Sequence, residues 1–334
     1  MRHGLIRVDV SKCIYYKKYK RFAGKGMFMN DTEIMEKIHQ CNFELLSEIK
    51  RICEKYDIQF FLHGGTLLGS VRHQDFIPWD DDVDIIFLRQ DYEKFIRVVA
   101  KELPENMEFL DYNNYPQFFD FIAKISNKNL TYKTTYGHED FYEHRYSHPS
   151  VDLFVLDRVG KHHGLQLAIM KILYAFAMGH RKTVDLDKYK GAAKIGAVIL
   201  PAIGKLIPLK TICKQYRYIA TLADPQEVKK CIFSKASGTK DENAHTSKMA
   251  INGNGKISGF NLTDKVYISN EQQHPHYWGL CYDMTSYQLG TTKTIRGLEL
   301  QVPSGYDATM SVIYGDYMKL PPESQRVCQH VELE

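Results

Sequence analysis

The chain of 334 residues contains no run of about eighteen apolar residues, so the sequence alone offers no helix able to cross a bilayer. The segment from Met1 to Tyr19 scatters lysine and arginine without an apolar stretch. That pattern speaks against a signal peptide, and a cytoplasmic protein is the expectation. The seven cysteines, at positions 13, 41, 53, 213, 231, 281 and 328, are odd in number and form no Cys-x-x-Cys pair. A disulfide framework and a cysteine zinc site are both disfavoured, and packed, reduced thiols are expected. Internal repeats and low-complexity tracts are absent as well, which leaves an ordinary globular composition.

What is present in unusual density is acid. Asp80, Asp81, Asp82 and Asp84 place four carboxylates within five positions and run directly into the apolar segment Val83 to Leu88. Such a cluster is tolerated in a fold when a cation neutralises it, and Mg²⁺, with Mn²⁺ as a substitute, suits carboxylate oxygens. The stretch from Asp82 onward reads as a buried strand. Alternation along it puts Asp80, Asp82 and Asp84 on one face, and Asp81, Val83 and Ile85 on the other. Upstream, Ile58 to Leu62 predicts a strand that ends at His63-Gly64-Gly65, where glycine lets backbone amides approach an anion before Thr66 caps a short helix. Phosphate at the glycines beside a metal at the acids suggests phosphoryl-type transfer.

These motifs, His63-Gly64-Gly65-Thr66-Leu67-Leu68-Gly69-Ser70-Val71-Arg72 and Phe76-Ile77-Pro78-Trp79-Asp80-Asp81-Asp82-Val83-Asp84, resemble the signature of the LicD/fukutin family within the polymerase-β-like nucleotidyltransferases. Val151-Asp152-Leu153-Phe154-Val155-Leu156-Asp157 resembles its second acidic strand. Val302-Pro303, Tyr314 to Met318, Leu320-Pro321-Pro322, Arg326 and His330 resemble its C-terminal signature. The resemblance implies an α+β nucleotidyltransferase core with a mixed sheet flanked by helices. It also implies a metal-dependent enzyme that moves a phospho-alcohol, such as phosphocholine or ribitol phosphate, from a CDP-activated donor to a sugar hydroxyl of a cell-surface glycan. Sixteen residues separate Gly65 from Asp82, more than the superfamily usually has, which leaves open whether Asp80 with Asp82 or Asp82 with Asp84 forms the metal pair. Asp82 and Asp84 are favoured, because Asp80 follows Pro78-Trp79 and belongs to the loop. In this reading Asp82 and Asp84 hold one or two metal ions, and Asp152 acts beside them as general base. Gly64, Gly65, Thr66, Arg72 and Lys124 bind donor phosphate, Lys124 on the strength of its place in a predicted strand. Asp316, Arg326 and His330 either touch substrate or close the fold.

The remaining organisation follows from periodicity. An N-terminal extension, 1–29, precedes a catalytic core, 30–160, with helices predicted from Asn30 and over Asp91 to Leu103, and strands at Phe118 to Ile125 and Val151 to Leu156. Residues 223–334 complete the domain, with a predicted helix from Tyr306 to Tyr314 closed by Gly315 and an irregular segment from Ser234 to Gly259. Between them, 161–222 is a basic, apolar, helical insertion: eleven lysines and arginines face only Asp185 and Asp187 over 161–217. Leu165 to Met178 and Ala192 to Leu209 are too short to span a bilayer, and are read as helices packed on the core, with contact to an anionic membrane or a lipid-linked glycan acceptor as the alternative. Nucleic-acid binding is disfavoured, since the positive charge sits among apolar residues without a binding motif. His138, Glu139, Asp140, Glu143, His144 and His148 form a histidine-rich cluster without the HExxH spacing, more readily a polar aromatic loop than a zinc site. Two competing functions remain at this stage: transfer of NMP from an NTP, and a catalytically silent scaffold at a membrane surface.

Overall fold

The structure is a computed structural model describing residues 29–118, 120–134, 137–158, 163–184, 186, 189–222, 265–268, 281–283, 286–287, 290–328 and 330–331. The N-terminal extension and the Ser234 to Gly259 segment lie outside the described residues.

An amphipathic helix opens the core. In α1 (Met29–Lys55) the buried residues Leu45, Leu46, Ile49, Ile52 and Cys53 form one stripe against the sheet, while Met35 and Ile38 pack with Val331. The chain continues through β1 (Phe61–Leu62), α2 (Gly64–Arg72), β2 (Val83–Leu88), α3 (Arg89–Glu102), β3 (Met107–Leu110), β4 (Ala123–Asn127) and β5 (Ser150–Arg158). Then come α4 (His163–Ala177), α5 (Ala192–Gly204) and α6 (Leu209–Ala220), followed by β6 (Lys265–Ile268), β7 (Cys281–Asp283), β8 (Thr291–Ile295), β9 (Leu298–Val302) and α7 (Tyr306–Tyr314).

The main sheet is mixed and runs β1-β2-β5-β4-β3, with β6 added to β5 and β7 to β6. Its only parallel pair among the described strands is β2 with β5; every other pairing is antiparallel. Alternation sorts the side chains as the sequence predicted. Val83, Ile85 and Phe87 of β2, Val151, Leu153 and Val155 of β5, and Ala123 and Ile125 of β4 join one large core with α1 and α3. Ile86, Phe154 and Leu156 form a smaller apolar cluster on the opposite face. The α+β class, with a mixed sheet flanked by helices, is the one read from the sequence.

Several boundaries differ from the sequence reading for local reasons. β1 starts only at Phe61. α3 begins at Arg89 and ends at Glu102, one residue earlier than predicted, as Pro104 disfavours helix at the residue before it. The predicted strand over Phe118 to Ile125 shifts to Ala123–Asn127, because Asp120 accepts bonds from the Phe121 and Ile122 amides at 2.8 and 3.4 Å and holds the chain in a turn. The β8–β9 hairpin turns on Arg296 and Gly297, both with positive φ (50° and 81°), a two-residue geometry that glycine favours.

Helices α4 and α6 are fastened to the sheet and α3 by buried polar groups. Arg89, at the start of α3, makes a bidentate pair with Asp157 of β5 at 2.6 and 2.8 Å and also reaches Glu93 at 3.2 Å. Glu93 in turn binds Arg217 of α6. Gln166 of α4 donates to the Ile219 and Ala220 carbonyls at 2.5 and 3.1 Å, satisfying acceptors that the end of α6 leaves open. Phe121 packs on Tyr216 with ring centres 4.1 Å apart.

Candidate active site

β2 and β5 are paired so that Asp84 lies beside Asp152, and β5 and β4 so that Lys124 lies beside Asp152. Directly paired residues point to the same side of a sheet. Asp84, Asp152 and Lys124 therefore form a row across three adjacent strands, on the face opposite the main core. Lys124 is ion-paired with Asp152. Its ammonium, meant in the sequence reading for donor phosphate, has a carboxylate partner in this arrangement.

The glycine turn lies beside this row. His63 precedes α2 and is buried, its ring 5.1 Å from that of Phe154, as expected of a packed histidine. Gly64 has φ +51°, and a Cβ there would overlap the Asp84 carboxylate; a Cβ on Gly65 would overlap that of Asp80. The two glycines are half-exposed, so their surface is open to solvent as well as to acid. Thr66 lies inside the helix rather than at its cap: its hydroxyl accepts the Asp84 amide at 2.9 Å and ties helix to strand. Replacing Gly65 by alanine is expected to push Asp80 from its place and lower turnover by about 10²-fold with little change in melting temperature, measured by initial rates and a thermal scan.

The loop carrying Asp80 to Asp82 is held from three sides. From α1, His39 Nε2 lies 2.8 Å from the Asp80 carbonyl, and Asn42 donates to the Asp81 carbonyl at 3.2 Å. From the hairpin, Arg296 pairs with Asp75 at 2.9 Å and with Glu36 at 2.7 Å. From the C-terminal segment, the His330 amide donates to Asp81 at 3.2 Å while its ring Nδ1 lies 3.1 Å from the same carboxylate and 3.6 Å from Asp82. Arg326 stacks 5.6 Å from the Trp79 ring, and Arg72 donates to the Tyr317 carbonyl at 2.9 Å. Arg72 and the C-terminal signature thus close upon each other, and Asp316 is exposed.

Charge divides the acids by role. Asp81 is buried; burial favours its neutral form, but the His330 contact overrides this and holds its carboxyl below the ordinary value. His330 responds in kind: burial opposes its charge, yet Asp82 and Asp81 raise it to about 9. Asp80, Asp82 and Asp84 are half-exposed on the other side of the chain. Burial first and neighbouring carboxylates second push Asp80 and Asp84 well above the ordinary range, while burial raises Asp82 with His330 opposing. Burial also raises Asp152, with Lys124 opposing.

Asp81, Asp82 and His330 bring ligand atoms within 4.8 Å of one another. Within this trio the Asp81 carboxylate is engaged by both the amide and the ring of His330. The donor set that suits a hard divalent cation is the row of carboxylate oxygens from Asp80, Asp82 and Asp84, with Asp152 adjacent: oxygen ligands, partly open to solvent, and mutually repelling without a counter-ion.

The histidine-rich segment does not assemble. Residues 139–146 are consecutive turns rather than a helix, so His144 and His148 do not share a helical face. Glu139 accepts from Thr134, and His148 Nδ1 lies 2.8 Å from the Leu130 carbonyl.

Sequence reasoning missed the role of Asp81, whose position on the buried side of the alternation was the available signal. It also missed Asp120, buried near Lys124, and the loop anchors His39 and Asn42; no local pattern marks these.

Residues 57–169 match a family model described as LicD/FKTN/FKRP, nucleotidyltransferase domain. The chain is 28 % identical over 295 residues to the lipopolysaccharide cholinephosphotransferase LicD of Haemophilus influenzae, covering 86 % of this chain and 92 % of that protein. A 49-residue stretch, 14 % of this chain and 10 % of the relative, is 43 % identical to the human ribitol 5-phosphate transferase FKRP. An uncharacterized protein of Rickettsia prowazekii, RP689, is 26 % identical over 161 residues, 42 % of this chain and 59 % of that protein. Residues 57–169 are therefore similar to a LicD/FKTN/FKRP nucleotidyltransferase domain, and most of the chain is similar to a cholinephosphotransferase.

Proposed function

We propose that this enzyme transfers a phospho-alcohol of the phosphocholine or ribitol phosphate type from a CDP-activated donor to a sugar hydroxyl of a surface glycan. The observation that carries this reading is the in-register row of Asp84, Asp152 and Lys124 beside the Gly64-Gly65 turn. Likeness to a cholinephosphotransferase over most of the chain, and to a ribitol 5-phosphate transferase over a short stretch, supports the substrate class.

Asp82 and Asp84, joined by Asp80, would hold Mg²⁺ or Mn²⁺, which when bound supplies charge neutralisation for the donor diphosphate. The chain's own groups do the rest. Asp152 accepts the proton of the acceptor hydroxyl, and burial makes it a stronger base than a solvated carboxylate. Lys124 keeps that carboxylate oriented and ionised. As the acceptor oxygen bonds to the β-phosphorus, the bond from that phosphorus to the bridging oxygen breaks and CMP departs. Amides at the start of α2 face the phosphate oxygens, and Arg72 adds positive charge nearby.

The test is CMP release from CDP-choline, CDP-ribitol and CDP-glycerol, with and without Mg²⁺, in the presence of a glycan acceptor. Metal-dependent CMP from one donor is the expected result. Absence of CMP from all three sinks the proposal, and pyrophosphate release from CTP with a phosphorylated acceptor would instead select nucleotidyl transfer.

A further inference from the structure

Helices of folded domains normally turn their large apolar side chains inward. In α5 the arrangement is inverted. Its fully buried residues are small or ring-closed, Pro201 and Gly204, and Leu200 is its one half-buried large aliphatic residue. The backbones approach so closely that a Cβ on Gly204 would overlap the Phe176 carbonyl, and one on Gly179 the Pro201 carbonyl. His180 fastens the turn, with Nε2 3.1 and 3.0 Å from the carbonyls of Gly204 and Ile207. The outward side carries Ile195, Val198, Ile199, Ile203 and Leu206, with exposures of 62, 50, 50, 43 and 84 %. Spacings of three and four make these one continuous stripe along the helix and past its end. Close backbone approach at Pro201 and Gly204 turns that side of the helix to the protein and leaves Ile195, Val198, Ile199 and Ile203 in solvent.

The surrounding charge has one sign. No acidic residue occurs between Asp187 and Asp224. Lys190 before the helix, Lys205 after it, and Lys210 and Lys214 on α6 are all exposed. α5 and α6 meet at a bend of 113°, and neither is long and apolar enough to cross a membrane.

We propose that the exposed face of α5 is a membrane-docking surface that lies flat in the headgroup region of a bilayer containing anionic lipid. The stripe has no aromatic residue or arginine, the types that protein interfaces favour, and its rim is lysine, which complements anionic headgroups. A helix of 13 residues is ~20 Å long, shorter than the ~30 Å hydrocarbon layer, which fits an in-plane and not a spanning orientation. The surface is distinct from the acidic row, so its docking stands whichever donor the site takes.

Flotation of the full chain with phosphatidylcholine vesicles, with and without one third phosphatidylglycerol, tests this. The protein is expected to rise with the anionic vesicles. Val198→Glu with Ile199→Glu should lower the bound fraction ~10-fold, and Lys205→Glu with Lys210→Glu should do the same, with unchanged melting temperatures. Failure to float overturns the proposal, as does equal capture by neutral vesicles that is indifferent to the lysine reversals. A lipid-free dimer that Ile199→Glu converts to monomer also overturns it, because a second copy would then cover the face.

Discussion

Replacing Asp84 by asparagine is expected to lower transferase turnover by about 10³-fold while raising the melting temperature of the metal-free protein. The two effects come from one cause. Asp84 sits beside Gly64 with Asp82, Asp152 and Asp80 as charged neighbours, and burial together with those carboxylates raises its proton affinity. Removing one negative charge relieves repulsion by about 1 kcal/mol or more, equivalent to a few degrees in a domain of this size. In the proposed site the same change removes an oxygen ligand. Mg²⁺ should therefore raise the melting temperature of the wild type and leave the variant nearly unmoved, since a ligand stabilises only the state that binds it. Parallel thermal scans with and without Mg²⁺, combined with initial rates, measure both. A variant that melts lower than the wild type in chelator would show that Asp84 serves the fold instead of the reaction.

Asp157→Ala is expected to cost about 3–5 kcal/mol, about 10 °C in melting temperature. The carboxylate is fully buried and engages Arg89 through both oxygens. Its loss leaves two guanidinium groups, of Arg89 and Arg217, sharing the single carboxylate of Glu93. The double change Arg89→Met with Asp157→Leu should recover most of the loss, because an apolar pair needs no compensation in that site. Urea unfolding of the two variants measures the difference. Equal destabilisation in both would mean that packing volume and not charge dominates.

Much of the acidic face was legible from alternation alone. Asp80, Asp82 and Asp84 on one side and Asp81, Val83 and Ile85 on the other is a two-residue period, and the strand that follows is apolar enough to fix its register. Asp152 stood out for the same reason, as the acid in an otherwise apolar strand. The pairing of Lys124 with Asp152 was not legible, because which strand lies beside which depends on tertiary topology. The same limit applies to His330 and Asp81, 249 positions apart, and to Arg89 and Asp157, 68 apart. For the insertion, an apolar run could be read from composition, but which side of α5 is buried could not. Small residues on a helix face count as weakly apolar in any periodicity, although their real contribution is close backbone approach.

The clasp formed by the C-terminal segment carries a consequence for how the enzyme comes into being. A chain ending after Leu222 would contain the whole stretch 57–169 and every acid of the row, yet it would lack the His330 charge that faces Asp81 and the Tyr317 carbonyl that receives Arg72. On the ribosome the acidic loop must wait for more than two hundred further residues before its counter-charge exists, and closing so long a connection is slow. Competence should therefore appear only after the nascent chain has been synthesised past His330, so that a segment far downstream of the acids is the last part the site needs.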